Sequence, residues 1–264
     1  MNIFMHELRA NFKSLLIWSG IVILFSVIGF SKFSAFYGNP ELVAILDGMP
    51  PALLSALSMN AFNLTTVTGF FGIMIMYYGL ILSIAAAMWG SDVISKEERD
   101  RTVEFSLTLP VTRSRVVTAK LTAVALNCLI LTLVTWGITL VSAQGFQPDN
   151  TFNSFVAISM LAFLLMEMVF LALGIFLGCA MRQHKRAGTL AVSAILGTYF
   201  TSILAGLTKD LDFLKYFTPF KYFDPVFMMR ESRLDLTFVF LSFAIAVVLI
   251  TGAYLSYTKR DLYI

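Results

Sequence analysis

The chain of 264 residues is 58% hydrophobic and only 13% charged. Soluble domains carry roughly 45 to 50% apolar and about 25% charged residues, so this sequence has too little polar surface for a water-soluble globule, and a polytopic membrane protein is predicted. The 19 Lys and Arg barely exceed the 16 Asp and Glu, which is too small an excess to hold a nucleic-acid backbone, and no nucleic-acid partner is expected.

Apolar runs long enough to cross a bilayer, which takes about 20 residues for a helix, recur along the chain. There are six, at residues 14–31, 66–89, 116–143, 155–181, 188–207 and 236–257. The predicted fold is therefore an all-α polytopic membrane protein, one transmembrane domain over residues 1–264 with six transmembrane helices. Cys128 and Cys179 both lie inside these runs, where a thiol behaves as a small hydrophobe.

The distribution of basic residues predicts the orientation, because loops rich in Lys and Arg stay in the cytoplasm. Thirteen of the 19 lie in the N-terminal segment, in the loops 91–120 and 182–187, or in the C-terminal tail. The other six are Lys32 and five residues of the segment 208–235, where five acids accompany them. Both termini of this multi-pass protein are therefore expected in the cytoplasm, with the spans in the cell membrane.

The gaps between the predicted spans are too short for a catalytic domain. The longest, 208–235, has 28 residues, whereas a soluble domain needs on the order of 100. The sequence has no G-x-x-x-x-G-K-S/T pattern for nucleotide phosphates and no H-E-x-x-H or paired-cysteine pattern for a metal. The two histidines, His6 and His184, stand beside basic residues and are expected to be solvated. No catalytic, cofactor-binding or metal-binding residue is expected in this chain, and any energy source lies on another polypeptide.

Glu167 is the ionisable side chain that lies well inside an apolar run, at 155–181. A carboxylate at that depth costs at least about 2.5 to 3.5 kcal/mol, so it is expected to face protein or a wet cavity. One interpretation is contact with the substrate or with a proton during translocation. The other is an interhelical hydrogen bond that helps the spans to pack. The sequence leaves both open.

Small residues mark two of the predicted spans as close neighbours of other helices. Gly174 and Gly178 form a G-x-x-x-G pattern, and three consecutive alanines occupy 85–87. Lipid supplies no hydrophobic drive for helix association, so close approach at such residues is what allows helices to pack. The pattern indicates a bundle and says nothing about a substrate.

The loop 91–120 mixes six basic and five acidic residues with a short apolar stripe. A lipid-binding polybasic patch would not carry so many acids. Both signs of charge beside apolar side chains suit the groove of a protein partner better, although a solvated connector has the same composition.

Residues 94–120 read ISKEERDRTVEFSLTLPVTRSRVVTAK. This stretch resembles the segment after the second span in permease subunits of type-2 ATP-binding cassette (ABC-2) transporters. Those permeases have a Glu, then G-T-x-E/D-x-x-L-x-x-P-V/I-S/T-R, then a Lys that opens the third span. Arg101 replaces the usual Gly here. The matching residues are Glu97 or Glu98, Thr102, Glu104, Leu107, Pro110, Val111, Thr112, Arg113 and Lys120.

The resemblance implies the membrane-spanning half of an ABC transporter, most often an exporter. ATP and Mg²⁺ are then bound by a separate cytoplasmic ATPase, present in two copies, and not by this chain. A second permease subunit, identical or homologous, completes the assembly by a two-fold interface. The loop then forms a coupling helix that inserts into a cleft of the ATPase. The residues implied in this coupling are Glu97, Glu98, Arg101, Thr102, Glu104, Pro110 and Arg113.

Within that helix, Glu104 and Arg113 are expected to form salt bridges to the ATPase. Thr102 is expected to cap the helix, because a Thr side chain accepts from the first backbone amides. Pro110 is expected to end it, because proline cannot continue the hydrogen-bond ladder.

Weaker similarities extend the resemblance along the chain. An interfacial amphipathic helix commonly precedes the first span in this family, and Phe4, Leu8 and Phe12 provide an apolar stripe at helical spacing. Residues 48–54 resemble a Leu-Pro segment of the first external loop. Residues 218–225 resemble an S-P-F-x-Y-F segment before the sixth span, and the aromatic residues around them are expected at the outer interface.

Two other classes of protein remain as alternatives. A secondary transporter or channel would need polar residues at the membrane midplane, where Glu167 qualifies. A membrane partner protein that transports nothing would be separated from a transporter by nucleotide-dependent substrate movement in reconstituted vesicles.

Overall fold

The computed structural model describes residues 3–39, 62–99, 112–181, 184–207 and 209–259, together with residues 48 and 50. The secondary structure in these ranges is helical throughout. Its α-helices are α1 (Ile3–Phe33), α2 (Val67–Arg99), α3 (Arg113–Ala143), α4 (Phe152–Ala180), α5 (His184–Ala205), α6 (Pro225–Glu231) and α7 (Leu236–Lys259). Short 3-10 helices occupy Gln144–Phe146, Lys209–Phe217 and Pro219–Lys221.

All of these α-helices except α6 are long and apolar enough to cross a membrane, which gives six candidate spans in the described ranges. The prediction of an all-helical protein with six spans is confirmed. The helices are longer than the apolar runs that predicted them. At 1.5 Å per residue, the 33 residues of α2 extend about 50 Å, whereas the hydrocarbon core is about 30 Å thick. Its last turns therefore project beyond the membrane.

The prediction of a separate interfacial helix before the first span is wrong. Ile3–Phe33 is one continuous helix, and no Gly or Pro occurs between residues 3 and 19 to interrupt it. The predicted apolar stripe is not the packing face either, since Phe12 is 55% exposed while Glu7 and Asn11 are buried. The polar contacts of Glu7 fix this part of the helix against the bundle.

The bundle has two chemically different ends. At one end Lys96 of α2 binds Glu7 of α1, and Arg113 of α3 reaches the last turn of α7; we call this the basic end. At the other end Phe33 stacks on Phe70 with ring centroids 4.7 Å apart. The first and last described residues therefore lie at the basic end, as do both helix ends that flank residues 100–111.

The centre of the bundle is the parallel pair α2 and α4, which packs through small residues. A Cβ built on Gly174 would clash with the Ala87 carbonyl oxygen, and one built on Gly90 would lie 2.6 Å from the Leu171 carbonyl oxygen. Gly178 faces Ser91 in the same way, at 3.0 Å. The helix approach predicted from the G-x-x-x-G pattern and the alanine run is confirmed, and α2 is one partner of α4.

The segment between α5 and α7 folds over the end opposite the basic end. Phe220 enters the bundle, where its ring contacts Phe170 of α4 and Tyr199 of α5 at 5.5 and 5.4 Å. Asp224 begins α6 by accepting hydrogen bonds from the amides of residues 226 and 227 at 2.7 and 3.2 Å. On the solvent-exposed side of the same segment, Lys215 donates to the Asp212 carboxylate at 2.5 Å. This hydrogen bond raises the pKa of Lys215.

Candidate functional site

The structure places part of the predicted coupling region. Glu97 and Glu98 belong to the last turn of α2, and Arg113 is the first residue of α3. Arg101, Thr102, Glu104 and Pro110 lie outside the described residues, so the predicted coupling helix stays a prediction. The described residues show instead how its two flanks, the end of α2 and the start of α3, are held.

Arg113 anchors the start of α3 to the end of α7. Its guanidinium Nη1 donates to the carbonyl oxygens of Tyr257 and Thr258, both at 3.4 Å. A cation at a helix C-terminus satisfies carbonyls that have no partner within the helix and opposes the helix dipole. One turn further along α3, the hydroxyls of Thr118 and Tyr254 lie 2.6 Å apart and share a hydrogen bond.

Thr112 shapes the same point of the chain as the N-cap of α3. Its side-chain oxygen accepts from the backbone amide of Arg115 at 3.3 Å, which satisfies one of the amides that the first turn leaves free. The direction in which the chain enters α3 is therefore defined, and Arg113 presents its side chain to α7 from that first turn.

A buried ion cluster, formed by Glu7, Lys96 and Lys120, joins the ends of α1, α2 and α3. Lys96 Nζ donates to Oε2 of Glu7, and Lys120 Nζ lies 3.5 Å from Oε1. Lys120 also donates to the carbonyl oxygen of Val93 in α2 at 2.7 Å. The side chains of Glu7 and Lys120 are each only 1% exposed, and that of Lys96 is 14% exposed.

The cluster carries one negative and two positive side chains. Burying a charge is costly unless the charge is paired and hydrogen-bonded, and each carboxylate oxygen of Glu7 faces one ammonium group. The carbonyl of Val93 gives Lys120 a further acceptor. Removing Glu7 alone would leave the buried ammonium group of Lys120 and the partly exposed one of Lys96 without the carboxylate that they share.

Beside the cluster a groove of 970 Å³ opens between α1, α2 and α5 at the basic end. Residues of α2 form its floor, where the indole Nε1 of Trp89 donates to Ser14 of α1 at 2.8 Å. Asn11, on α1, is 7% exposed, and its amide nitrogen has no hydrogen-bond partner among the residues that the structure describes. Polar and apolar side chains alternate along the lining, among them Asn11, Ser14, Ile17, Met88, Asp92 and Ser193. Such a surface suits an amphiphilic molecule.

Glu167 is fully buried in α4, and the Thr132 hydroxyl of α3 donates to its Oε2 at 2.7 Å. This is the interhelical hydrogen bond that the packing interpretation predicts. The other oxygen, Oε1, has no hydrogen-bond partner within the described part of the chain. With no exposed surface, Glu167 does not face the groove, and its contact with a substrate stays a prediction.

Glu167 belongs to a line of buried polar residues that follows α3 through the bundle. Asn127, Thr132, Thr135 and Thr139 are each less than 5% exposed. The side chain of Thr139 lies beside Tyr78 of α2, whose hydroxyl is 2.7 Å from that of Ser26 in α1. The helices α1, α2, α3 and α4 are thus linked by polar side chains as well as by apolar packing.

Sequence reasoning found Lys120, as the Lys that opens the third span, and missed its partner Glu7. The signal was present, because Glu7 is the single acid in the first 40 residues and stands in a basic segment. Trp89 and Asn11 were also missed. Neither belongs to a recognisable pattern, and their importance depends on which helices meet at the groove.

Comparison with known proteins agrees with the six-span architecture. A search of curated proteins finds no match. The family described as ABC-2 family transporter protein matches residues 1–262, which is nearly the whole chain. A permease of this family is membrane-embedded and works with a partner ATPase subunit. The chain therefore belongs to the ABC-2 transporter family, as a multi-pass permease subunit of an ABC transporter.

Proposed function

We propose that this permease subunit is the membrane half of an exporter and that the segment 97–113 is its docking element for the ATPase. The observation that carries the proposal is the anchoring of both flanks. Lys96, just before the segment, is bound to α1 through Glu7, and Arg113, at its end, is bound to α7. A force on the segment would therefore reach four helices, α1, α2, α3 and α7, because each flank of the segment is bound to a neighbouring helix.

The groove at the basic end is the entry that we propose for the substrate. It lies at the same end of the bundle as the docking segment, since Asp92 and Ser95 in its lining precede Lys96 by one turn of α2 and by one residue. Closure of two ATPases below the membrane would act directly on this end. For that action to move substrate, the contacts around the groove must differ between two states.

The complete transporter that we propose contains two permease chains and two ATPases, with ATP and Mg²⁺ bound on the ATPases. The basic end then faces the cytoplasm, which the distribution of Lys and Arg along the sequence favours. Large apolar side chains on α1, α5 and α7 remain exposed in the single chain, for example Leu24, Phe200 and Phe240 at 63%, 61% and 71%. These faces are available for lipid and for the second permease.

Charge reversal at Glu104 tests the docking element. The permease carrying Glu104→Lys is coexpressed with its cognate ATPase, sought first in the neighbouring reading frame, and purified through a tag on the permease. We expect normal membrane insertion, loss of the copurified ATPase and loss of stimulated ATP hydrolysis. Glu104 is preferred to Arg113, because a change at Arg113 also breaks its contacts with α7.

Glu231→Lys is the matched control, since Glu231 is an exposed acid at the opposite end of the bundle, where it forms an ion pair with Arg233. This variant should retain the ATPase at the wild-type ratio. Full retention and full stimulation of the ATPase by the Glu104→Lys permease would rule out the segment as the docking element.

A further inference from the structure

The ion cluster of Glu7, Lys96 and Lys120 lies between the proposed docking segment and the groove. Lys96 immediately precedes the segment and Lys120 follows its end by two turns of α3. Glu7 binds both of them from a third helix, α1. One carboxylate thus connects α1 to each of the two helix ends that the segment joins.

Glu7 also stands at the foot of one wall of the groove. On α1, Asn11 and Ser14 follow it by one and two turns and belong to the lining, with Ile17 one turn further. An α-helix is stiff over this length, so a displacement at Glu7 moves these side chains with it. A second link, from Trp89 to Ser14, ties the same wall to the floor.

We propose that Glu7 is the positioning residue that couples movement of the docking segment to the α1 wall of the groove. The inference rests on the proposed function, since it takes the segment to be the part that the ATPase moves. When the ends of α2 and α3 shift, the carboxylate follows its two ammonium partners, because a buried, unpaired carboxylate is unfavourable. The α1 wall then follows, and the width of the groove changes.

The two lysines are not equivalent in this arrangement. Lys120 is held by the Val93 carbonyl as well as by Glu7, so it keeps an acceptor if the carboxylate moves away. Lys96 is the more exposed of the two and sits at the start of the segment. Lys120 therefore joins α3 to α2 as well as to Glu7, whereas Lys96 is the partner through which Glu7 contacts the residue directly before the segment.

A fluorescent reporter across the groove tests this coupling directly. Ser193, exposed on α5 in the groove lining, is changed to Cys and labelled with bimane, which is quenched by nearby tryptophans such as Trp18 on α1. The native Cys128 and Cys179 are fully buried and do not compete for the label. The labelled permease is reconstituted with its ATPase, and ATP hydrolysis and the change in bimane fluorescence on adding ATP are measured together.

In the otherwise wild-type protein we expect ATP to change the bimane fluorescence. In Glu7→Gln, ATP hydrolysis should continue while the fluorescence change per ATP hydrolysed falls about tenfold, within the range typical of coupling between sites. Glu7→Asp should restore at least part of the change, since it keeps the charge. A merely structural defect would lower the amount of folded complex but would leave the ratio unaltered. Arg9→Gln, on the exposed side of the same helical turn, is the matched control and should behave as wild type.

Glu7→Gln leaves both ammonium groups without the carboxylate that they share, so a double variant, Glu7→Gln with Lys120→Met, provides the same test with one charge fewer. It should show the same loss of ratio. A full fluorescence change per ATP in either variant overturns the inference and leaves the docking element intact. If ATP hydrolysis changes no fluorescence in the otherwise wild-type protein, the proposed function of the segment and groove fails, and the role of Glu7 with it.

Discussion

The packing of α2 against α4 predicts a large effect of a single methyl group at Gly174. A Cβ there would clash with the Ala87 carbonyl oxygen and would lie 3.0 Å from the Ser91 amide nitrogen. Both are backbone atoms, so no side chain can rotate away. In Gly174→Ala the two helices must separate until these contacts approach 3.4 Å or more, a shift of about 1 Å at the Ala87 carbonyl oxygen.

The magnitude follows from what that separation does to the rest of the interface. A gap of 0.5 to 1 Å forfeits about a quarter to a half of each van der Waals contact, and the closest neighbours, at Gly90 and Gly178, are in the same interface. Overpacking of this kind typically costs about 1 to 3 kcal/mol. At about 2 to 4 °C per kcal/mol for a chain of this size, the apparent melting temperature should fall by about 2 to 12 °C.

The assay is thermal unfolding of the detergent-purified permease, followed by size-exclusion chromatography of the remaining monodisperse protein. Gly137→Ala and Gly197→Ala are the matched controls, because both glycines are helical and a Cβ on either meets no atom within 4 Å. These controls should be neutral or slightly stabilising, since Ala favours a helix over Gly. Equal melting temperatures for Gly174→Ala and Gly137→Ala would refute the close packing of α2 and α4.

Two further predictions concern the polar contacts. Glu167→Gln keeps an oxygen that can accept from the Thr132 hydroxyl, so we expect a free energy of unfolding within about 1 kcal/mol of the wild-type value. Unchanged transport and assembly would then assign Glu167 to packing. Loss of transport with normal assembly would contradict that assignment. Arg113→Gln loses the charge that faces the carbonyls of Tyr257 and Thr258. Limited proteolysis should therefore cleave the C-terminal end of α7 several times faster than in the wild-type protein. An unchanged cleavage rate would show that Arg113 does not anchor the end of α7. The control for the second experiment is Arg115→Gln, an exposed arginine of the same turn.

The spans could be predicted from the sequence because hydropathy measures the environment of a segment. It does not measure where a helix ends. The run that predicted the second span stops near residue 89, yet α2 continues through a charged stretch to Arg99, and α1 begins at Ile3 rather than at a separate interfacial helix. Both extensions lack a proline, and helices propagate easily where nothing interrupts them. The polar ends were therefore assigned to loops or to another helix.

Some features of the candidate site depend on residues that are neighbours in the sequence, and others depend on residues that are far apart in it. The G-x-x-x-G pattern at Gly174 and the isolated carboxylate at Glu167 could be predicted from neighbouring residues alone. The pairing of Lys120 with Glu7 joins residues more than 100 positions apart, and one sequence does not record such pairs. The partners of Arg113 are backbone carbonyls, which every residue possesses, so no choice of side chain at Tyr257 or Thr258 marks them in advance.

The helices at the centre of the bundle, α2 and α4, are packed more closely than α1 and α5 at its periphery. This difference explains how one end of the bundle can change shape without loss of the fold. The floor of the groove belongs to α2, which is locked to α4 by backbone contacts at glycine. The walls belong to α1 and α5, each with only 22% of its most apolar stretch buried, against 67% for α2. Displacing a wall therefore breaks fewer apolar contacts than displacing the floor, which would break the tightest interface described. At the basic end α1 is held by the polar contacts of Glu7 with its two lysines and of Ser14 with Trp89, in addition to its apolar packing on α3. Polar contacts can exchange partners over short distances more readily than interlocked backbones can separate, so movement of a wall is favoured over movement of the floor.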